Sequence, residues 1–234
     1  MKKVMHGMLA LVVLTFSLLL SVPAMATTVT VGAPGDPGNG NAFPFGGTIS
    51  PNPGTRYQQV YNSSLFPGLM TINEISFFNT QHNPGQASFD TATYEIHLST
   101  TPQPVNGLDT VNFDDNVGDD DQLFFTGVIG GVMGMRITFV GVGFSYDPEE
   151  GNLLLDILKS GSLSDGNAFL DARNGTFGDD SSRAHDFGSE FEEWGLVTEF
   201  SDGQNNNVVP EPSTFLLLGA GLVGVGLLRK KFTS

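Results

Sequence analysis

From Tyr57 onward the chain is written in short runs in which apolar and polar residues trade places at a period of two, with Gly, Pro and Asn between the runs. The alternation is plainest in Thr71-Ile72-Asn73-Glu74-Ile75-Ser76-Phe77 and in Tyr94-Glu95-Ile96-His97-Leu98. In a strand, successive side chains point to opposite faces, so this pattern buries one face and wets the other. The same signal predicts strands over residues 57–61, 71–79, 93–99, 122–129, 136–142, 152–158, 167–171 and 194–200, and the β-branched run at 27–31 adds a starting strand. Residues 32–54 carry too much Gly, Pro and Asn for a regular element and read as a surface loop. Its apolar knot Phe43-Pro44-Phe45 is expected to tuck against the body, an exposed aromatic platform being the alternative. Asp147-Pro148-Glu149-Glu150-Gly151 has the residues of a tight turn and predicts a hairpin between its flanking strands. No stretch of the body has helical periodicity. The expectation is all-β: a two-sheet antiparallel β-sandwich, jelly-roll-like.

Two segments stand outside this pattern. Residues 1–26 combine Lys2-Lys3, an apolar run at 8–20 and the small-residue end Val22-Pro23-Ala24-Met25-Ala26, the layout of a secretory signal peptide cut after Ala26. Residues 208–234 place Pro210, Glu211 and Pro212 before an uncharged apolar run that ends in Arg229, Lys230 and Lys231. That run predicts a transmembrane helix at about 213–228. It is shorter than the roughly 20 residues a bilayer core asks for, a gap that Val208, Val209 and snorkelling basic side chains can share. Basic residues before the first apolar run and after the second keep both ends cytoplasmic and translocate what lies between. The body at 27–207 is the right size for one domain, and the Asn-rich stretch 202–209 reads as a flexible tether.

The C-terminal order Val209-Pro210-Glu211-Pro212-Ser213-Thr214, Gly-rich apolar run, Arg229-Lys230-Lys231 resembles the PEP-CTERM sorting signal of Gram-negative bacteria. The resemblance implies an exosortase, an integral-membrane cysteine protease, as partner, with cutting near the Pro-Glu-Pro motif. It also implies an inner-membrane intermediate and a destination in the cell envelope or outside the cell. A plain membrane anchor with a rigid Pro spacer is the other reading. The body looks similar to those of the same exported family in 57–66, in Ile75-Ser76-Phe77-Phe78 and in 151–157, which implies a carbohydrate-binding-like sandwich. In that family such proteins are associated with exopolysaccharide and biofilm.

Charge narrows the functions. The chain has a formal net charge of −15, and between residues 27 and 207 five basic residues face twenty-four acidic ones, a net of −19. Such a surface repels nucleic acid and attracts cations or basic partners. There is no cysteine, hence no disulfide, thiolate metal site or Cys nucleophile.

The densest candidate chemistry is the run from Asp109 to Asp121. Asp114, Asp115, Asp119, Asp120 and Asp121 offer hard oxygen ligands of the kind Ca²⁺ takes, although their spacing is not that of an EF-hand; a solvated acidic loop is the competing reading. Asp179, Asp180, Asp186, Glu190, Glu192 and Glu193 form a second acidic group that reads as wet surface. His82 in a turn, His97 on a strand and His185 in a polar loop have no metal-ligand spacing. Trp194 reads as a core residue, a sugar-stacking platform being the alternative. Asp186-Phe187-Gly188 lacks every other kinase signature, and no Gly-x-Ser-x-Gly elbow is present. A carboxylate pair on the sandwich would suffice for a glycosidase. The sequence therefore leads to an exported structural or adhesive sandwich without catalysis, whose alternatives are a carbohydrate-active enzyme and a Ca²⁺-stabilised carbohydrate-binding module.

Overall fold

The computed structural model describes residues 27–35, 40–46, 55–161, 166–173, 180–186 and 194–203; the signal peptide and sorting tail expected at 1–26 and 208–234 lie outside them. The described residues fall in one compact unit, Thr27–Gly203. Its strands are β1 (Thr28–Val31), β2 (Gly40–Asn41), β3 (Arg56–Tyr61), β4 (Met70–Phe78), β5 (Ala92–Thr101), β6 (Gln122–Ile129), β7 (Arg136–Tyr146), β8 (Asn152–Ser160), β9 (Leu170–Asp171), β10 (Ser181–His185) and β11 (Thr198–Ser201). Two short 3₁₀ turns, Ser63–Leu65 and Phe113–Asn116, are the only helical pieces among the described residues.

One sheet has the order β1-β11-β4-β7, a second β10-β3-β8-β5-β6, and β2 pairs with β9 in a small ribbon. Every pairing is antiparallel. Setting aside β2, β9 and β10, successive strands change sheet at every step but one, the paired β5 and β6, in the order that winds a jelly roll. The last described strand, β11, lies inside its sheet between β1 and β4.

The inward faces meet in an aromatic core. Phe45 is fully buried and touches Phe77 and Phe139 of one sheet and Tyr94 of the other, with ring centroids 5.2, 5.6 and 5.4 Å away. Tyr61 meets Phe200 edge to face at 4.9 Å. Ring pairs in these offset geometries add about 0.5–1.5 kcal/mol each to the gain from burial. The expected tucking of Phe43 and Phe45 against the body is thus what the fold shows. The alternation of β4 is interrupted by an irregularity between Ile72 and Glu74. The extra residue lets Ile72 and Ile75, three apart, both face the core.

Three local expectations are corrected. β7 and β8 form no hairpin: β7 pairs with β4, β8 runs between β3 and β5, and the turn at 147–151 carries the chain from one sheet to the other. The turn residues specify a reversal, and a reversal serves a crossing between layers as well as it serves pairing. His185 is not in a loop but ends β10, where all five residues are buried. Trp194 is not core: it is 49% exposed, adopts φ +71°, and stands over the buried Arg183 guanidinium at 5.9 Å.

Candidate functional site

Twenty residues, 102–121, connect β5 to β6 and include the acidic run. A connection of that length inside a compact domain needs a packing reason of its own. Leu108 and Phe113 supply it by packing on Val60, Leu154 and Ala184, the apolar outward residues of β3, β8 and β10. The loop is therefore a cap on part of the outer face of the five-stranded sheet, with a small second core beneath it.

Asn116, fully buried, is the polar pin of this cap. Its Oδ1 accepts from the Asp109 amide at 2.7 Å, and its Nδ2 donates to Gln58 Oε1 at 2.7 Å and to the Asp109 carbonyl at 2.8 Å. Asp109 in turn accepts from the amides of Val111 and Asn112. The bond from Asn112, then that from Val111, holds its carboxyl below the usual carboxylate range.

The remaining carboxylates of the run are spread along the rim. Asp114 meets Arg56 Nη1 at 2.6 Å. Asp120 accepts from the Thr100 amide at 2.7 Å, and Asp121 lies 3.1 Å from His97 Nδ1. Asp115 accepts from Gln103 through its backbone carbonyl. Asp119 lines a cleft of about 520 Å³ shared with Asp120, Ser145, Asp147 and Glu150. Among the described residues no group of three His, Asp or Glu side chains could hold a metal ion. The five aspartates named as Ca²⁺ ligands are thus not gathered; three of them hold the loop to β3 and β5.

Beyond the cap, the outer face of the same sheet is open. Strand register puts Arg56, Leu158, Glu95 and Thr126 on one rung, and on the next His97 and Leu123, in line with Gln58 and Asp156, which are buried at the cap's edge. Thr93 with Ser160 and Val128 forms a third. Arg56 organises this shelf. Its Nε and Nη2 clamp the buried Asp156 at 2.7–3.2 Å while Nη1 reaches Asp114 on the cap. Burial opposes its charge, and the two carboxylates more than offset that, keeping the guanidinium above its ordinary range. A second cleft, about 570 Å³, opens beside it between Thr55, Asn112, Phe113 and Asp186.

Of the second acidic group, Asp186 accepts from the Thr55 amide and hydroxyl and the Arg56 amide, and Asp180 pairs with Arg173 at 3.2 Å. Asp179, Glu190, Glu192 and Glu193 lie outside the described residues, as do Pro210, Glu211, Pro212, Arg229, Lys230 and Lys231. The shelf was legible only in part: Glu95 and His97 sit in an alternating run, but nothing local to Arg56 announces Asp156, 100 residues away.

A family model described as the PEP-CTERM protein-sorting motif matches residues 208–231. The C-terminus of the chain carries that sorting signal, and with it the mark of an exported substrate of an exosortase. No curated protein and no solved structure matches the chain.

Proposed function

We propose that the protein is a non-enzymatic component of the cell envelope or extracellular matrix, sorted through its tail and serving there as a structural or adhesive sandwich in contact with exopolysaccharide. The observation that carries this reading is the sorting motif at 208–231 behind a single compact β body. The open shelf supports it. Rungs that set Arg56, Glu95, His97 and Thr126 beside Leu158 and Leu123 offer hydrogen-bonding groups flanking apolar surface, the mixture that sugar hydroxyls and ring faces require. The test is in two steps. Intact mass spectrometry of membrane and secreted fractions should find a species that starts near Thr27 and lacks the residues after Pro212. That species should then bind secreted polysaccharide of its host, and binding should weaken at least several-fold in Glu95→Ala. Absence of binding to any matrix polymer would sink the adhesive reading and leave the sorting intact.

A carbohydrate-active enzyme is the reading from another class, favoured by one observation. Glu95 faces Leu158 while Asp156 faces His97 on neighbouring strands, which makes the two carboxylates diagonal neighbours with backbones about 7–8 Å apart. Side chains carried on backbones that close can bring their carboxyl groups to the roughly 5–9.5 Å that glycosidases use, although Asp156 is already held by Arg56 and Gln58. Release of reducing sugar that disappears in Glu95→Gln would establish it over the binding role.

A further inference from the structure

Lys159 and Asp90 form the most enclosed ion pair among the described residues. The ion pairs of Arg56, His97, Arg136 and Arg173 each have at least one partner with more than a tenth of its side chain in water, whereas these two are 2% and 1% exposed. Lys159 Nζ lies 2.8 Å from Asp90 Oδ2 and 3.1 Å from the Pro44 carbonyl, above the Phe43 ring at 5.3 Å. Asp90 Oδ1 accepts from the Gly166 amide at 2.8 Å, and the Tyr94 hydroxyl reaches the same Pro44 carbonyl at 3.4 Å. An amine and a carboxyl group are thus held in contact, out of water, by a rigid aromatic sandwich.

We propose that Lys159 and Asp90 are the site of a self-formed isopeptide cross-link, in which Lys159 Nζ is joined to Asp90 Cγ as an amide. The step balances without any co-reactant. Proton transfer from the ammonium to the carboxylate gives the neutral amine and acid; the nitrogen lone pair attacks Cγ. One carboxyl oxygen then leaves with two of the three ammonium protons as water, and the third proton stays on the amide nitrogen. Nothing is oxidised or reduced. Two features of the site favour the step. Converting the pair into a neutral amide removes the desolvation penalty that a buried ion pair carries. Holding the reacting atoms in contact replaces an encounter with an intramolecular reaction, for which effective concentrations are very high. In a chain with no cysteine, the amide would act as a covalent clasp between β8 and the segment entering β5.

The sequence makes the test direct. Between Arg56 and Arg173 the only trypsin sites are Arg136 and Lys159. Mature protein taken from its host, denatured and digested, is expected to yield peptides 57–136 and 137–173 as one branched species lighter than their sum by one water, uncut after Lys159. Asp90→Ala should release 57–136, 137–159 and 160–173 separately; should that variant not fold, the native digest decides alone. Recovery of the three separate peptides from the native protein would overturn the proposal and leave an ordinary buried ion pair.

Discussion

At the scale of single residues, Arg56 and Asp114 share one contact but carry unequal weight. Arg56→Ala leaves Asp156, 5% exposed, as a buried carboxylate without its bidentate cation, and loss of one partner of such a pair costs about 3 kcal/mol. Asp114 is 90% exposed, and its removal should cost less than about 1 kcal/mol. Urea unfolding of the two variants checks the ranking, and equal losses would show that Asp156 finds another partner. His185 makes a prediction in pH. Burial, and then the Arg183 guanidinium, push its imidazole down to about 4 from an ordinary 6.5. The unfolded chain therefore takes up the proton first as pH falls. The stability tied to neutral His185 is complete above about pH 6.5 and declines between there and about pH 4. The difference in unfolding free energy between wild type and His185→Gln should shrink over that window. A constant difference would mean that the imidazole takes up its proton in the fold as readily as in the unfolded chain.

At the scale of elements, the cap at 102–121 is held by its apolar side chains, and its carboxylates only tie down its rim. Phe113→Ala should cost about 3 kcal/mol by leaving a cavity against Val60 and Leu154, and should open the loop to proteases that leave wild type uncut. Gly118 is under a different constraint, since a Cβ there would collide with the Thr100 carbonyl. Gly118→Ala should lower the melting temperature although the position looks like any loop glycine. These two positions mark where reading the sequence succeeds and stops. Strands such as β4 and β5 were legible because Ile72, Tyr94 and Ile96 alternate with polar neighbours. β10 was not: Ser181-Ser182-Arg183-Ala184-His185 has no apolar alternation, and its burial comes from pairing with β3. The acidic run showed its charges and concealed its structural role, because Leu108, Phe113 and Asn116 acquire meaning only against a sheet face assembled from β3, β8 and β10. The turn at 147–151 was recognised as a turn, while its partner strands were fixed by which apolar faces needed covering.

At the scale of the whole body, the positive charge of the described residues is largely withdrawn from the surface. Lys159 and Arg183 are buried, and Arg56 and Arg173 are 19% and 14% exposed and paired with carboxylates. What faces water is therefore close to a single-sign acidic shell, which repels itself in the folded state. Raising sodium chloride from low to molar concentration should raise the melting temperature by screening that repulsion, and no rise would mean the carboxylates are already neutralised locally. The winding of the sandwich also sets a schedule. Of the described strands β11 is the last to be exported, yet it sits between β1 and β4, with Thr28 opposite Ser201 and Phe200 opposite Ile75. Until residue 201 has crossed, the first sheet is split in two, and the contacts that would close it span nearly the entire body; such long-range pairing is intrinsically slow. The first sheet can consequently close only as the sorting signal itself arrives.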